Sequence, residues 1–99
     1  MLWYCRFTWH PHTRTEDVRR RVLEQHQAAG DGLAGKIKGW YNLAGGGAGF
    51  LMLEAEGPQE VSEVLQPYMD LVSWDVHAVY ELSYPKAIEE FSKHLQATS

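Results

Sequence analysis

Segments with two-residue alternation and segments with a three-to-four-residue repeat succeed one another along this chain. Their order is strand, helix, strand, strand, helix, strand, helix, and few topologies accommodate it. Leu2 to Trp9 alternates, with Trp3, Cys5, Phe7 and Trp9 on one face and Leu2, Tyr4, Arg6 and Thr8 on the other. Pro11 ends that strand, because proline cannot donate to a ladder. Thr13-Arg-Thr-Glu16 has the spacing of a capping box and opens a helix over about Arg14 to Ala29, striped by Val18, Val22, Gln25 and Ala29. Gly30-Asp-Gly32 stops it. Strands over about Lys36 to Leu43 and Gly49 to Glu56 flank Ala44-Gly-Gly-Gly-Ala48, which reads as a hairpin. Gly57-Pro58 starts a second helix that runs to Pro67, with proline where its missing N–H is harmless. After a connection from Pro67 to Ser73, a fourth strand spans about Trp74 to Leu82. A last helix, about Pro85 to Gln96, carries Ala87, Ile88, Phe91 and Leu95 at helical spacing, and Thr98 and Ser99 are expected to fray.

The order predicts an α+β, ferredoxin-like βαββαβ domain with a four-stranded antiparallel sheet, strand order 4-1-3-2, plus a C-terminal helix. At 99 residues the chain is one domain, 1–99, with its core in 2–82. A sheet with helices on one face and water on the other alternates apolar and polar residues. Phe50-Leu-Met-Leu53 is unbroken, however, and the first strand carries large apolar or aromatic groups on both faces. The second face needs a cover. The C-terminal helix could wrap it, or a partner sheet could; the partner sheet is the favoured cover, giving a symmetric homodimer with sheets face to face.

Net charge is −4, which argues against nucleic acid or an anionic membrane as partner. No stretch approaches the roughly 18–20 apolar residues of a membrane span. The opening Met-Leu-Trp-Tyr-Cys-Arg lacks a signal peptide's basic and apolar regions, so a cytoplasmic setting is expected. The lone Cys5 excludes a disulfide framework and a Cys-rich zinc site.

Three segments carry a resemblance: Leu2-Trp-Tyr-Cys-Arg-Phe-Thr8, Gly39-Trp-Tyr-Asn-Leu-Ala-Gly-Gly-Gly-Ala-Gly-Phe50, and Leu65-Gln-Pro-Tyr-Met-Asp-Leu-Val-Ser-Trp-Asp-Val76. With them the chain resembles the dimeric α/β-barrel superfamily of small ferredoxin-like proteins. That superfamily includes muconolactone-isomerase-like, antibiotic-biosynthesis-monooxygenase-like and stress-responsive barrel proteins. Within it the chain most resembles a group known only as a domain of unknown function. The resemblance implies the fold. It implies no catalytic residue, because the superfamily's haem pockets and catalytic motifs have no match here, and fold does not imply function.

Residue chemistry nominates the site directly. With strand four antiparallel to strand one, His10 and Trp9 are expected beside Trp74, Asp75 and His77. Asp75 and His77 share a strand face, as a carboxylate-oriented general base requires; an ion pair at the dimer interface explains the same spacing. Arg6 either forks onto a substrate carboxylate or pairs with Glu54 or Glu81; Tyr41, Glu54, Tyr80 and Glu81 join it as polar groups on strands expected to be buried. Trp3, Trp9, Trp40, Trp74, Tyr4, Tyr41 and Tyr80 make an aromatic sheet, either core or the wall of an apolar pocket for a planar ligand. His10-Pro11-His12 presents two imidazoles to one side, but a metal site takes three or four ligands, so no metal is assigned. Gly45-Gly-Gly47 lacks the Lys-Ser/Thr and helix of a phosphate loop, and Arg19-Arg-Arg21 is interleaved with carboxylates as a solvated face.

Two functions follow. One is a cofactor-independent enzyme acting on a small hydrophobic or aromatic metabolite in a cleft between sheet and helices. There His77 or His10 is the base, Asp75 its orienter, Arg6 and Tyr41 the anion-holding groups, and Trp9, Trp74 and Trp40 the walls. The other is a non-catalytic ligand-binding or interaction module. An enclosed cleft around His77 favours the first, and a flat contact face the second.

Overall fold

Trp3, Cys5, Phe7 and Trp9 share one face of the first strand, β1 (Leu2–Trp9), and that face meets the core. The computed structural model describes residues 1–98. Strand β1 is central, pairing antiparallel with β3 (Ala48–Glu54) and β4 (Val72–Val79), while β2 (Ile37–Asn42) adds to the far side of β3. The sheet order is β2-β3-β1-β4, the expected order read from its other edge. The core is compact: Cys5 and Phe7 from β1, Leu51 and Leu53 from β3, and Val61, Val64 and Leu65 from helix α3 (Pro58–Leu65). The indole N–H groups of Trp3 and Trp74 are satisfied by the carbonyls of Ala55 and Leu65, each at 3.1 Å, tying the sheet to both ends of α3.

Helix α1 (Thr15–Ala29) is capped differently from the expected box. The Asp17 carboxylate accepts from the Arg14 N–H at 3.2 Å, whereas the Thr13 hydroxyl donates to the Leu71 carbonyl at 2.6 Å. A hydroxyl able to cap a helix instead donates to a carbonyl 58 residues away in sequence. Arg21 then anchors α1, donating to Asp70 at 2.6 and 2.9 Å and to the carbonyl of Pro67. The Arg21 hydrogen bond holds the Asp70 carboxyl below the usual carboxylate range, so the anchor weakens only as pH falls through that lowered value. Arg21→Met is expected to lower Tm by roughly 5 °C, and Asp70→Asn by less, because Arg21 keeps its Pro67 acceptor. Calorimetry of the two variants checks the ranking.

Gly30, with φ of 61°, ends α1 as expected. A second short helix, α2 (Asp31–Lys36), follows it unannounced. Gly32 and Gly35 disfavour helix intrinsically, but Leu33 packs on the core and Lys36 reaches Glu60 at 3.2 Å. In the β2–β3 hairpin the Gly46 and Gly47 φ angles are 82° and 78°, which glycine adopts without strain. A bulge between Ile37 and Gly39 sets the β2 register, so that Trp40 pairs with Leu51 on the helix-covered face and Tyr41 with Phe50 on the open one.

The fourth strand starts two residues earlier and ends three residues earlier than expected, since β4 runs Val72–Val79. Leu2 pairs with Val79, so Tyr80 to Leu82 have no β1 residue left to pair with, and Tyr80 is exposed. The last helix, α4 (Tyr84–Thr98), starts one residue before the expected bounds and runs two beyond them; Ser99 lies outside the described residues.

Candidate functional site on the open sheet face

The register sorts the nominated residues by face. Arg6 pairs with Asp75 and with Phe50, and Tyr4 pairs with His77 and Met52, all on the face that no helix covers. Tyr41 is opposite Phe50 on the same face. Rings therefore cross all four strands: His77 lies 6.4 Å from Tyr4, Tyr4 5.1 Å from Phe50, and Phe50 4.8 Å from a stacked Tyr41. Beside this row the Asp75 carboxylate stands 3.0 Å from His77 Nε2, the expected carboxylate–imidazole pair. Pairing through Nε2 leaves Nδ1 available to a ligand. Tyr4, Arg6, Leu43, Gly49 and Phe50 line a half-open hollow of ≈ 190 Å³.

The other nominations lie elsewhere. Trp9 and Trp74 occupy the opposite, helix-covered face, so neither walls His77. Residues 74 and 77 differ by an odd number and must point to opposite sides of a regular strand. Trp40 is also on that face, donating to the Asn42 side chain at 3.1 Å. His10 lies past the end of β1 remote from His77, about 20 Å along the strand from Tyr4 at ~3.3 Å per residue. There its ring stacks on His12 with centroids 5.6 Å apart, and the two Nε2 atoms face the carbonyls of Met69 and Asp70 at 3.2 Å. Among the described residues no group of three or more His, Cys, Asp or Glu is gathered.

The expected pairing of Arg6 with a glutamate is absent: Glu54 instead holds the N-terminal ammonium at 2.7 Å, and no described residue is an ion-pair partner of Arg6. Arg6, Tyr41, Glu54, Tyr80 and Glu81 are all exposed, so the burial that argued for compensation does not occur. The cleft expected between sheet and helices exists as a groove of ≈ 400 Å³ beside α3 and β4, but of the polar candidates only Asp75 borders it. Sequence reasoning left Phe50 out of the site and counted Tyr4 only among the aromatic rings of the sheet. Tyr4 shares the parity of Arg6 on one strand, a signal present in the sequence, whereas Phe50 joins them only through the β1–β3 register.

A family model described as "Domain of unknown function (DUF3303)" matches residues 1–96. The chain belongs to the DUF3303 family. No curated protein matches it. Among solved structures, this DUF3303 chain is similar to 5-chloro-2-hydroxyhydroquinone dehydrochlorinase (TftG) from Burkholderia phenoliruptrix AC1100, in complex with 2,5-dihydroxybenzoquinone. The identity is 24%, the TM-score 0.59, and the match covers 83% of this chain and 96% of the other. That likeness, with the observed strand order, shows a ferredoxin-like α+β fold. No helix among the described residues is long and apolar enough to cross a membrane.

Proposed function

We propose that the protein is a cytoplasmic homodimeric enzyme that uses no cofactor and acts on a small planar aromatic metabolite held on the open sheet face. The observation that carries this reading is the Asp75–His77 pair at 3.0 Å, on one face with an arginine that has no ion-pair partner among the described residues. The row of rings beside it offers a stacking surface for a flat substrate. Arg6 is suited to an ionised phenol or carboxylate, which its planar fork binds in two places. His77 Nδ1 is suited to taking a proton from a phenolic or enolic hydroxyl; the proton then rests on the imidazole, and Asp75 stabilises the resulting cation. One fold neighbour, the 5-chloro-2-hydroxyhydroquinone dehydrochlorinase, is named for a chlorinated aromatic substrate, which agrees with the ligand class without assigning this chain a reaction.

A hollow of ≈ 190 Å³ in one protomer falls below the roughly 300 Å³ at which ligand pockets begin, and His77 and Asp75 side chains are 59% and 68% exposed. A second sheet laid on this face supplies the missing wall, so dimer and site belong together. The same exposure favours a second reading, a ligand-binding module without chemistry, in which the pair is a surface contact worth little energy.

Titration calorimetry with 2,5-dihydroxybenzoquinone as an anionic planar probe tests the proposal. Arg6→Gln is expected to weaken binding about 10- to 100-fold, the worth of a charge-assisted hydrogen bond. His77→Gln is expected to leave binding within a few-fold while removing turnover of any accepted substrate. Failure of the wild-type protein to bind the probe at millimolar concentration, or equal affinity in Arg6→Gln, sinks the site. Turnover undiminished in His77→Gln sinks the base.

A further inference from the structure

Of the described residues of helix α4 only Ala87 is buried, and none belongs to the core cluster. The Cα radius of gyration is 17.6 Å, against about 13 Å for a compact chain of this length, and the long dimension is 59 Å. Tyr84, Ile88 and Phe91 form an apolar stripe along α4 and are 77%, 46% and 56% exposed. The opposite face is polar, with Lys93 bridging to Glu89 at 3.1 Å. A solitary 15-residue helix is marginal in water, so this one needs a surface to pack on. Such a surface exists in the fold. The ≈ 400 Å³ groove between α3 and β4 is walled by Trp3, Val61, Leu65, Trp74 and Val76, and Met69 beside it is 53% exposed.

We infer that α4 is an exchanged arm, seated in the α3–β4 groove of a second copy of this chain. The inference rests on the face-to-face dimer proposed above, and three considerations select a second copy as the occupant. Residues 80–83 join β4 to α4. Four residues span up to about 13 Å, more than the ~10 Å between stacked sheets, so the chain leaving one β4 reaches the edge of the facing sheet. Buried area points the same way. Two helix footprints of about 22 by 10 Å, counted on both surfaces, remove about 900 Å² from water, short of the ~1,600 Å² of a standard stable interface. The facing sheets add a comparable area, and the two together reach that size. Exchange is also reciprocal, so one two-fold axis covers both stripes and both grooves and the assembly closes.

The test uses full-length chains. Ser62→Cys places a thiol on the groove wall and Phe91→Cys one on the stripe, while native Cys5 is fully buried and silent. The two variants are mixed, refolded together and treated with a short bismaleimide. A 62–91 bridge between the two chains, seen by mass spectrometry, is the expected product. In a chain carrying both substitutions, a bridge closed at monomer mass shows α4 folded back on its own domain and overturns the inference. A sedimenting dimer without any 62–91 bridge overturns the arm and leaves the face-to-face pair standing; a folded monomer removes both. Phe91→Asp, at an exposed position, is expected to keep its circular dichroism and to raise the dimer Kd at least about tenfold. An unchanged Kd overturns the exchange.

Discussion

Gly49→Ala is expected to lower stability by about 2–4 kcal/mol. A Cβ on Gly49 collides with the Tyr41 carbonyl oxygen and falls 2.7 Å from Phe7 Cζ and 3.0 Å from Asn42 Cα. The first and last belong to the backbone of the paired strand and the second to a ring in the core, so no flexible side chain is there to yield. Gly45→Ala, four residues away, has nothing within 4 Å and is expected to be near neutral. Gly46→Ala falls between them, at about 1–2 kcal/mol, because its φ of 82° is unfavourable to an L side chain. Urea unfolding of the three variants gives the ranking, and equal midpoints for the alanines at 45 and 49 contradict the strand packing described here. Gly49 also lines the hollow beside Arg6, so the same substitution should weaken ligand binding in whatever fraction still folds.

Cys5 is expected to resist alkylation in the native protein and to make the fold sensitive to alkali. The side chain has no exposed surface, and burial pushes its thiol up to about 11 from an ordinary 9.0. Since the folded value is the higher one, the neutral thiol's contribution is complete below pH 9.0 and disappears as pH rises toward about 11. Two units correspond to at most roughly 2.7 kcal/mol. Burial also raises the Tyr68 hydroxyl, whose contribution has the same sign and adds to the loss at high pH. Denaturant midpoints from pH 8 to 11 should fall for the wild-type protein and fall less for Cys5→Ala, which starts from a less well-packed core. Iodoacetamide at pH 8 should modify Cys5 at least about 100-fold faster in urea than in buffer, its access depending on opening of the sheet. Comparable rates in the two solvents contradict the burial.

Much of the architecture was legible in local chemistry. Two-residue alternation from Leu2 to Trp9, the glycine run before Ala48, and Pro58 in the first turn of α3 each act within a few residues, and together they determine the strand and helix order. Even the Asp75–His77 pair follows from parity alone, because residues two apart on a strand must share a face. What parity cannot say is which face, or what lies opposite. Trp9 and Trp74 looked like walls for His77 because they are near it in sequence or in strand order; the β1–β4 register puts them on the other side of the sheet. The same register ends β4 at Val79 and leaves Tyr80 unpaired. Helix α2 shows packing overriding propensity, since Leu33 and Lys36 find partners that outweigh two glycines. Thr13 shows a side chain choosing a distant carbonyl over the nearby helix end. Local sequence thus determined the elements and the residues able to do chemistry. Tertiary structure alone decided that Arg6, Tyr4, Phe50, Tyr41, Asp75 and His77 meet on one open face, because pairing between distant strands, settled by burial of Cys5, Phe7, Leu51 and Leu53 on the other side, sets that register.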